Sequence, residues 1–349
     1  MHGAAMTWTF PLQPAHPRPW PVNDDAGLAG ALPSVAQIEQ AAAWLAPWHT
    51  PSPVMEQVYA GRGIALKCEQ RLPTGAFKVR GAWTALRAAR DVGHSEIVAC
   101  SAGNHGAGLV WAAERLGMKV RIFVPEACPP IKRRKMEKGA ELVVVAGGYD
   151  QAEAAAREEA VRSGVPFVSP FADPWVMAGN GGTLARELAA QCAGALTVLV
   201  PVGGGGLLSG LMVWALVHAL PWRVIGVQSE ASPAFAASLR DGRWYETWDS
   251  APTVAEGLEG GAGETSVLLA RRTGIPVVTV PESQIVLAMR HAEKQWGEVI
   301  EGSAAVVLAA IPALEELESH GRLVGVLTGG NREALGPDPR PVSQDLGEG

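Results

Sequence analysis

Cysteine is scarce in this chain, and its few residues lie far apart in the sequence: Cys68, Cys100, Cys128 and Cys192. No two of them form a C-x-x-C pair, so the sequence offers neither a disulfide framework nor a structural zinc site. This usage is typical of proteins in a reducing compartment. We therefore expect a cytoplasmic location.

The sequence also lacks the charge pattern of a nucleic-acid binder and the apolar runs of a membrane protein. Its net charge is -6, and its densest basic cluster, within 132–138, suits a solvated helix face. The N-terminus has no basic region followed by an apolar one, so we expect no signal peptide. The longest apolar run, 207–220, is interrupted by a glycine and a histidine and is too short to span a bilayer. We expect neither nucleic acid nor membrane as a partner.

What remains is the composition of a large folded protein. The 349 residues are 48% hydrophobic and 18% charged, which is enough for a well-buried core. Residues 1–32 are rich in proline and without periodicity, which predicts an N-terminal arm. Strand and helix patterns then alternate as far as residue 327, and this alternation favours an α/β fold with open, mainly parallel sheets and helices on both faces.

Several individual elements can be predicted from local signals. Ser34 followed by Gln37 is typical of a capping box, and it predicts a helix from that point to about Leu45. A short strand is predicted at 166–169 and a long helix at 303–318. We expect ligands to bind where strands end and helices begin.

Lys78 lies at one such junction, in the stretch PTGAFKVRGA at 73–82. The turn signal ahead of it and the apolar run around it place the ammonium near a helix start, where its charge is disfavoured. A lysine of this kind is a good nucleophile toward a carbonyl. Taken alone, the same pattern also fits a lysine that extends from a helix end into solvent.

Two further junctions carry glycines and small polar side chains. A predicted strand ends in the run Gly203, Gly204, Gly205 and Gly206, where several backbone N–H groups can converge on a phosphate. No Lys-Ser/Thr follows, so the run is not a Walker loop. Another strand ends in SAGNHG at 101–106, whose Ser101 and Asn104 suit a carboxylate or a phenolic oxygen. His105 fits a structural role as well as a catalytic one.

With these stretches the chain resembles the pyridoxal-phosphate (PLP) dependent serine/threonine dehydratases, of the tryptophan-synthase β-like fold. The motifs PTGAFKVRGA, SAGNHG, PVGGGGLLSG, Glu301-Gly302-Ser303 and TGGN at 328–331 occur in the family's order, between about Thr50 and Asn331. The resemblance implies two open, mainly parallel sheets. It also implies a large PLP-binding domain formed by 33–93 plus 174–349, with a small domain, 94–173, inserted in it.

The resemblance also implies a role for each matching residue. Lys78 would hold the cofactor and act as the catalytic base, and Phe77 would pack against the cofactor ring. Asn104 would donate to the phenolic oxygen, the run 203–206 would hold the phosphate, and Thr328 would face the pyridine nitrogen. The substrate would contact the following set of residues: Ser101, Ala102, Gly103, Asn104, His105 and Gly257.

The sequence departs from the family's pattern at a few of these positions. The stretch 180–183 carries an extra glycine, which we expect to alter a loop near the site, and Glu256 stands where aspartate is usual. Ala102 follows Ser101 at a position where related racemases have a serine. Some relatives hold a divalent ion after the strand at 223–228, but Gln228 and Ala234 stand in that region here. We expect no tightly bound metal there.

The resulting prediction is a PLP-dependent ammonia-lyase that converts L-threonine and/or L-serine to 2-oxobutanoate or pyruvate plus ammonia. Another PLP lyase, such as a hydroxyaspartate or phenylserine dehydratase, is an alternative. A phosphate-binding protein without catalysis is an alternative of a different class. We also expect a homodimer. Only 18 residues follow Asn331, so no regulatory domain and no feedback inhibition by isoleucine are expected.

Overall fold

The structure is a computed structural model that describes residues 28, 30–314, 321–333 and 335. Most of the predicted N-terminal arm lies outside the described residues, and so do the last positions of the helix predicted at 303–318. Among the described residues, no helix is long and apolar enough to cross a membrane.

The described part of the chain alternates between strands and helices. The strands are β1 Val54–Tyr59, β2 Arg62–Cys68, β3 Glu96–Cys100, β4 Lys119–Pro125, β5 Glu141–Val145, β6 Leu196–Pro201, β7 Trp222–Ser229, β8 Val277–Val280 and β9 Arg322–Leu327. The α-helices are α1 Val35–Leu45, α2 Lys78–Asp91, α3 Asn104–Leu116, α4 Pro130–Glu137, α5 Tyr149–Ser163, α6 Pro174–Met177, α7 Thr183–Gln191, α8 Gly206–Val217, α9 Ala234–Asp241, α10 Glu264–Thr273, α11 Glu282–Trp296 and α12 Gly302–Ala310.

These strands form two sheets. Six of them build a large sheet in the order β1-β2-β9-β6-β7-β8, and three build a small sheet in the order β3-β4-β5. Only the pair β1–β2 is antiparallel among the described pairs, and all the others are parallel. The small sheet comes from 96–145, so its strands fall inside the proposed inserted domain. The predicted α/β class with two mainly parallel sheets is confirmed.

Helices cover both faces of the large sheet, as the apolar pattern of its central strand requires. Successive residues of a strand point to opposite faces, and in β6 Val198 and Val200 join one core cluster while Leu199 joins the other. The first cluster includes α8 and the second α12, and every residue of α12 is buried. Because β6 is buried on both faces, it reads as an unbroken apolar run.

The topology gathers three of the marked stretches at one edge. Strands β2, β9 and β6 are neighbours and parallel, so their carboxyl ends lie side by side. The turn that leads to Lys78, the stretch that begins at Thr328 and the run that begins at Gly203 follow these three strands. This order places the turn, the TGGN stretch and the glycine run next to one another.

Two local predictions were wrong. No strand forms at 166–169; a single bridge joins Phe167 to Val98, because the following residues turn toward the glycine run. The helix predicted from 303 starts at Gly302 and its α-helical part ends at Ala310, one residue before a short 3-10 turn that contains Pro312. Proline lacks the N–H that a continuing helix needs. The capping box at Ser34 and Gln37 is confirmed, with both hydrogen bonds present.

The extra glycine of 180–183 lies in a helix and not in a loop. Residues Ala178–Gly182 form a π-helical segment between α6 and α7, which is how a helix absorbs one additional residue. The segment lies directly against α8: a Cβ at Gly181 would come 2.1 Å from the carbonyl oxygen of Leu207. The insertion therefore permits a close backbone contact with the helix that follows the glycine run.

Candidate active site

The turn that carries Lys78 is held against the end of β9 by backbone hydrogen bonds. The N–H of Phe77 donates to the carbonyl oxygen of Thr328 at 2.9 Å, and the N–H of Gly330 donates to that of Gly75 at 2.9 Å. Gly75 has a φ of +72°, and a Cβ there would lie 2.8 Å from Oδ1 of Asn331. A glycine is needed at this position both for its backbone conformation and for space.

Lys78 is the first residue of α2, as the sequence predicts. Its side chain is half-buried, and Nζ donates to the carbonyl oxygen of Pro170 at 2.8 Å and lies 5.2 Å from the ring centroid of Phe77. Burial lowers the pKa of Lys78 to about 8, although the nearby Glu301 carboxylate opposes this shift. An appreciable fraction of the amine is therefore neutral, and nucleophilic, near neutral pH.

The glycine run is enclosed by neighbours that leave no room for side chains. A Cβ at Gly204 would lie 2.4 Å from the Phe171 ring, and one at Gly206 would lie 2.6 Å from the carbonyl oxygen of Phe171. Gly205 has a φ of +90° and immediately precedes α8. The run thus presents bare backbone at the start of a 12-residue helix, where N–H groups and the helix dipole favour an anion.

Thr328 closes this edge of the site. Its side chain is 3% exposed, and its hydroxyl oxygen has no hydrogen-bond partner among the described residues. Buried hydroxyls in proteins nearly always have a partner. The hydroxyl of Thr328 is therefore available to a ligand that lies between it and Lys78.

The stretch 101–106 reaches the same place from the small sheet. The hydroxyl of Ser101 accepts from the backbone N–H groups of Gly103 at 3.2 Å and Gly106 at 2.9 Å, so it fixes the start of α3. His105 is 3% exposed, and neither of its ring nitrogens has a partner among the described residues. Burial, with a smaller effect of the Lys78 charge, lowers the pKa of His105 to about 3, so its imidazole is neutral at physiological pH.

The remaining substrate-binding candidate, Gly257, lies on a short 3-10 turn. Its N–H donates to the hydroxyl of Ser303 at 2.9 Å, and a Cβ at this position would lie 2.8 Å from the same oxygen. The residue before it, Glu256, forms an ion pair with Lys132 of α4. This ion pair links the Gly257 turn to the part of the chain that contains the small sheet.

Sequence reasoning missed two residues of this site. Glu301 appears there only as part of a motif, and Asn331 only as the end of another, yet both contact Asn104. The Glu301 side chain is 9% exposed, and burial raises its pKa to about 7. Buried carboxylates with raised pKa values are common in functional sites.

A second group that sequence reasoning missed is a buried cluster of charges behind Lys78. Arg80 forms ion pairs with Glu69 at 2.7 Å and with Glu187 at 2.6 Å, and Glu187 also binds Lys67 at 2.8 Å and His49 at 2.6 Å. Burial alone would raise the pKa of Glu187, but the hydrogen bonds from Arg80 and His49 hold it well below its usual range. The cluster ties α2 to β2 and α7, and so fixes the helix that starts at Lys78.

Replacing Arg80 with methionine is expected to lower the free energy of unfolding by about 3–5 kcal/mol, because Glu69 loses its cationic partner inside the protein. Urea unfolding followed by circular dichroism measures this. Arg87→Met is the matched control on the same helix: its pair with Asp91 is exposed, and removing it should change stability by less than about 1 kcal/mol. If Arg80→Met is as stable as the control, the cluster does not hold this helix.

The region where some relatives hold a divalent ion is arranged differently here. The side-chain oxygen of Gln228 accepts from the backbone N–H of Ala236 at 2.9 Å, and its amide nitrogen, a donor, is buried without a partner. A carboxamide that caps the start of α9 offers no charge to a cation. Among the described residues, no three His, Cys, Asp or Glu side chains are grouped as metal ligands.

Comparison with known proteins gives a consistent result. Residues 46–329 match the family described as pyridoxal-phosphate dependent enzyme. The chain is 36% identical over 275 residues to the L-threonine ammonia-lyase of Geobacter sulfurreducens, covering 78% of this chain and 68% of that protein. It is 36% identical over 284 residues to the L-threonine ammonia-lyase of Thermotoga maritima, covering 80% of this chain and 70% of that protein.

Solved structures are similar over most of the chain. The threonine deaminase of the organism abbreviated T.th. superposes with a TM-score of 0.78 and 32% identity, over 87% of this chain and 100% of that one. A serine racemase from Dictyostelium discoideum superposes with a TM-score of 0.79 and 26% identity, over 86% of this chain and 99% of that one.

Proposed function

The chain belongs to the family of pyridoxal-phosphate dependent enzymes, and we propose that it acts as an ammonia-lyase on L-threonine and/or L-serine. The products would be ammonia and 2-oxobutanoate or pyruvate. The observation that carries the proposal is the placement of a desolvated amine, Lys78, at the same sheet edge as a bare glycine run. These are the two groups that a phosphorylated aldehyde needs.

The residues present fit the cofactor on three counts. Lys78 is a half-buried amine with a lowered pKa, which suits attachment to an aldehyde. The glycine run ahead of α8 suits a phosphate, since any side chain there would collide with its neighbours. The unpartnered hydroxyl of Thr328 suits the pyridine nitrogen, and Asn104, at the other side, suits the phenolic oxygen.

When bound, PLP withdraws electrons from the α-carbon of the substrate. The chain's own residues do the rest in this proposal. Lys78 removes the α-proton as a neutral amine, and the backbone of 101–105 holds the substrate carboxylate. Thr328 offers a hydroxyl and no carboxylate to the pyridine nitrogen, so that nitrogen stays largely unprotonated. The weaker electron withdrawal that results favours prompt loss of the β-hydroxyl as water.

A spectrum and a substrate panel test the proposal. The purified protein, supplied with PLP, is expected to be yellow, and borohydride should fix the cofactor on the peptide that contains Lys78. Among L-threonine, L-serine, hydroxyaspartate and phenylserine, the first two are expected to give the highest kcat/KM for release of a 2-oxo acid. Higher kcat/KM for one of the others would make that compound the substrate. A protein that cannot be loaded with PLP would contradict the enzyme assignment.

We further propose that the protein is a cytoplasmic homodimer. The four cysteines support a reducing compartment, because all are free and buried. A two-fold dimer is the commonest assembly among soluble oligomers. Light scattering of the holoenzyme would give twice the chain mass of 36.5 kDa if the proposal is right.

A further inference from the structure

Glu301 lies where the two sheets meet the site, and none of the roles above uses it. It directly precedes α12, its N–H donates to the carbonyl oxygen of Gly329 at 3.0 Å, and its side chain is 9% exposed. The carboxylate extends over Gly329, where a Cβ would lie 2.6 Å from Oε1 of Glu301. The TGGN stretch therefore leaves space for this one side chain.

The carboxylate contacts one side chain of the small-sheet part of the chain, Asn104. Nδ2 of Asn104 lies 2.9 Å and 3.1 Å from the two carboxylate oxygens of Glu301. At the other end of the same amide, Oδ1 of Asn104 accepts from Nδ2 of Asn331 at 2.9 Å. Asn331 is itself oriented, because its Nδ2 also donates to the carbonyl oxygen of Thr74 at 2.8 Å.

These two contacts allow only one orientation of the Asn104 amide. If the amide were reversed, its oxygen would face the Glu301 carboxylate and its nitrogen would face the Asn331 donor, so both hydrogen bonds would be lost. The amide nitrogen carries two hydrogens, and Glu301 takes one of them. The second N–H is left for a ligand.

We propose that Glu301 is a positioning residue for the cofactor: by accepting one N–H of Asn104, it directs the other toward the phenolic oxygen of PLP. This inference rests on the proposed role of Asn104. Removal of Glu301 would leave the amide free to turn and to present its oxygen, an acceptor, to the phenolic oxygen. Two acceptors facing each other repel, so the cofactor would bind more weakly.

The charge of Glu301 adds a pH dependence to this arrangement. Burial raises its pKa to about 7, against the opposing hydrogen bonds from Asn104 and the Asn331 backbone and the charge of Lys132, while Glu256 favours the raised value. Lys78 is the remaining charge that acts on it. A protonated carboxyl still accepts from Asn104 through its second oxygen, whereas an ionised one also repels a negatively charged phenolic oxygen nearby.

Titration of PLP into the cofactor-free protein tests the proposal without any activity assay. Glu301→Ala is expected to weaken PLP binding by about 10- to 100-fold, the range for loss of a hydrogen bond to a charged group. Glu301→Gln keeps an acceptor and loses the charge. Its PLP affinity relative to the parent protein should therefore rise between pH 6 and pH 8, as Glu301 of the parent ionises. Glu293→Gln, a surface carboxylate paired with Arg332, is the matched control and should not differ from the parent.

A double variant distinguishes positioning from a general loss of packing. Asn331→Ala removes the contact at the other end of the same amide, so it should also weaken PLP binding. If both residues act through the orientation of Asn104, Glu301→Ala combined with Asn331→Ala should cost less than the product of the two single effects. Independent, multiplicative effects would overturn the proposal.

Parental PLP affinity in Glu301→Ala would overturn it as well, and so would a constant ratio of affinities between Glu301→Gln and the parent across the pH range. Glu301→Gln, which has the size of glutamate, decides the question if the alanine variant fails to fold. A parent protein that does not bind PLP would overturn the proposed function and this inference together. A parent that binds PLP, with variants that equal it, would overturn this inference alone.

Discussion

Replacing Lys78 with alanine is expected to lower the rate of 2-oxo acid formation by at least about 10⁴-fold, the upper end of what a positioned acid–base group contributes, since the same amine also holds the cofactor. The fold should persist. Lys78 is the first residue of α2, and its one hydrogen bond within the protein, to Pro170, is replaceable by water. Removing a desolvated amine also removes the cost of burying its charge.

Stopped assays with threonine and serine, together with thermal melting, measure both halves of this prediction. Lys119→Ala is a suitable control, because Lys119 is an exposed residue at the start of β4 and faces no part of the site. The control should keep parental turnover. Substantial 2-oxo acid formation by a folded Lys78→Ala protein would remove Lys78 from the mechanism.

The lowered pKa of Lys78 gives this prediction a pH dependence. Only the neutral amine attacks an aldehyde, so the rate at which PLP attaches to the cofactor-free protein should rise with pH. The inflection should lie near pH 8, because burial lowers the pKa of the amine to about that value from its ordinary 10.5. A rate that rises only above pH 10 would mean that the amine is solvated.

The order of the strands and the marked stretches could be predicted from the sequence because both depend on local signals. Apolar runs of strand length, turn glycines and the capping box at Ser34 are each complete within a few residues. Strands such as β3, β4, β5 and β9 have their predicted bounds. Element ends that depend on packing were less predictable, such as the end of α12 before Pro312.

Several elements carried too little local signal to be predicted. Strand β8 has only four residues, and α9 and α10 are short helices between stretches rich in glycine and polar residues. Their apolar faces find partners from distant parts of the chain: Phe235 of α9 and Val267 of α10 lie in the core cluster that contains α8. Tertiary packing, which a local reading does not contain, decides such segments.

The site was predictable where one motif carries one function, and unpredictable where function depends on contacts between motifs. Lys78 and the glycine run each stand out alone. Glu301 does not, because its role depends on Asn104 and Asn331, which lie at the ends of two other strands. The charge cluster around Arg80 has the same character, since Glu69 and Glu187 are 118 positions apart in the chain.

The second large effect concerns stereochemistry: with L-serine, formation of D-serine is expected to be at least about 100-fold slower than formation of pyruvate, the lower bound of what a missing acid–base group costs. The α-carbon inverts only if a proton leaves from one face and another is delivered to the opposite face. Lys78 can serve one face. The likeness of the fold to a serine racemase does not supply the second group.

Three residues near Lys78 could in principle serve the other face, and each is unsuited to it. Ala102 has a methyl group where a hydroxyl would be required. The hydroxyl of Ser101 accepts two backbone N–H groups, from Gly103 and Gly106, so its lone pairs are not free to take a proton. His105 stays neutral because its pKa is lowered to about 3, so it is not an imidazolium that could donate a proton near neutral pH.

A chiral assay of the serine that remains after partial turnover measures the ratio of the two reactions. Ala102→Ser is the informative variant, because it places a hydroxyl beside Ser101 and leaves both of the Ser101 hydrogen bonds, which use backbone N–H groups, in place. It should raise the rate of D-serine formation while pyruvate formation continues. If the parent protein already forms D-serine at a rate comparable to pyruvate, then a group other than these three delivers a proton to the face opposite Lys78, and the methyl group of Ala102 does not limit inversion.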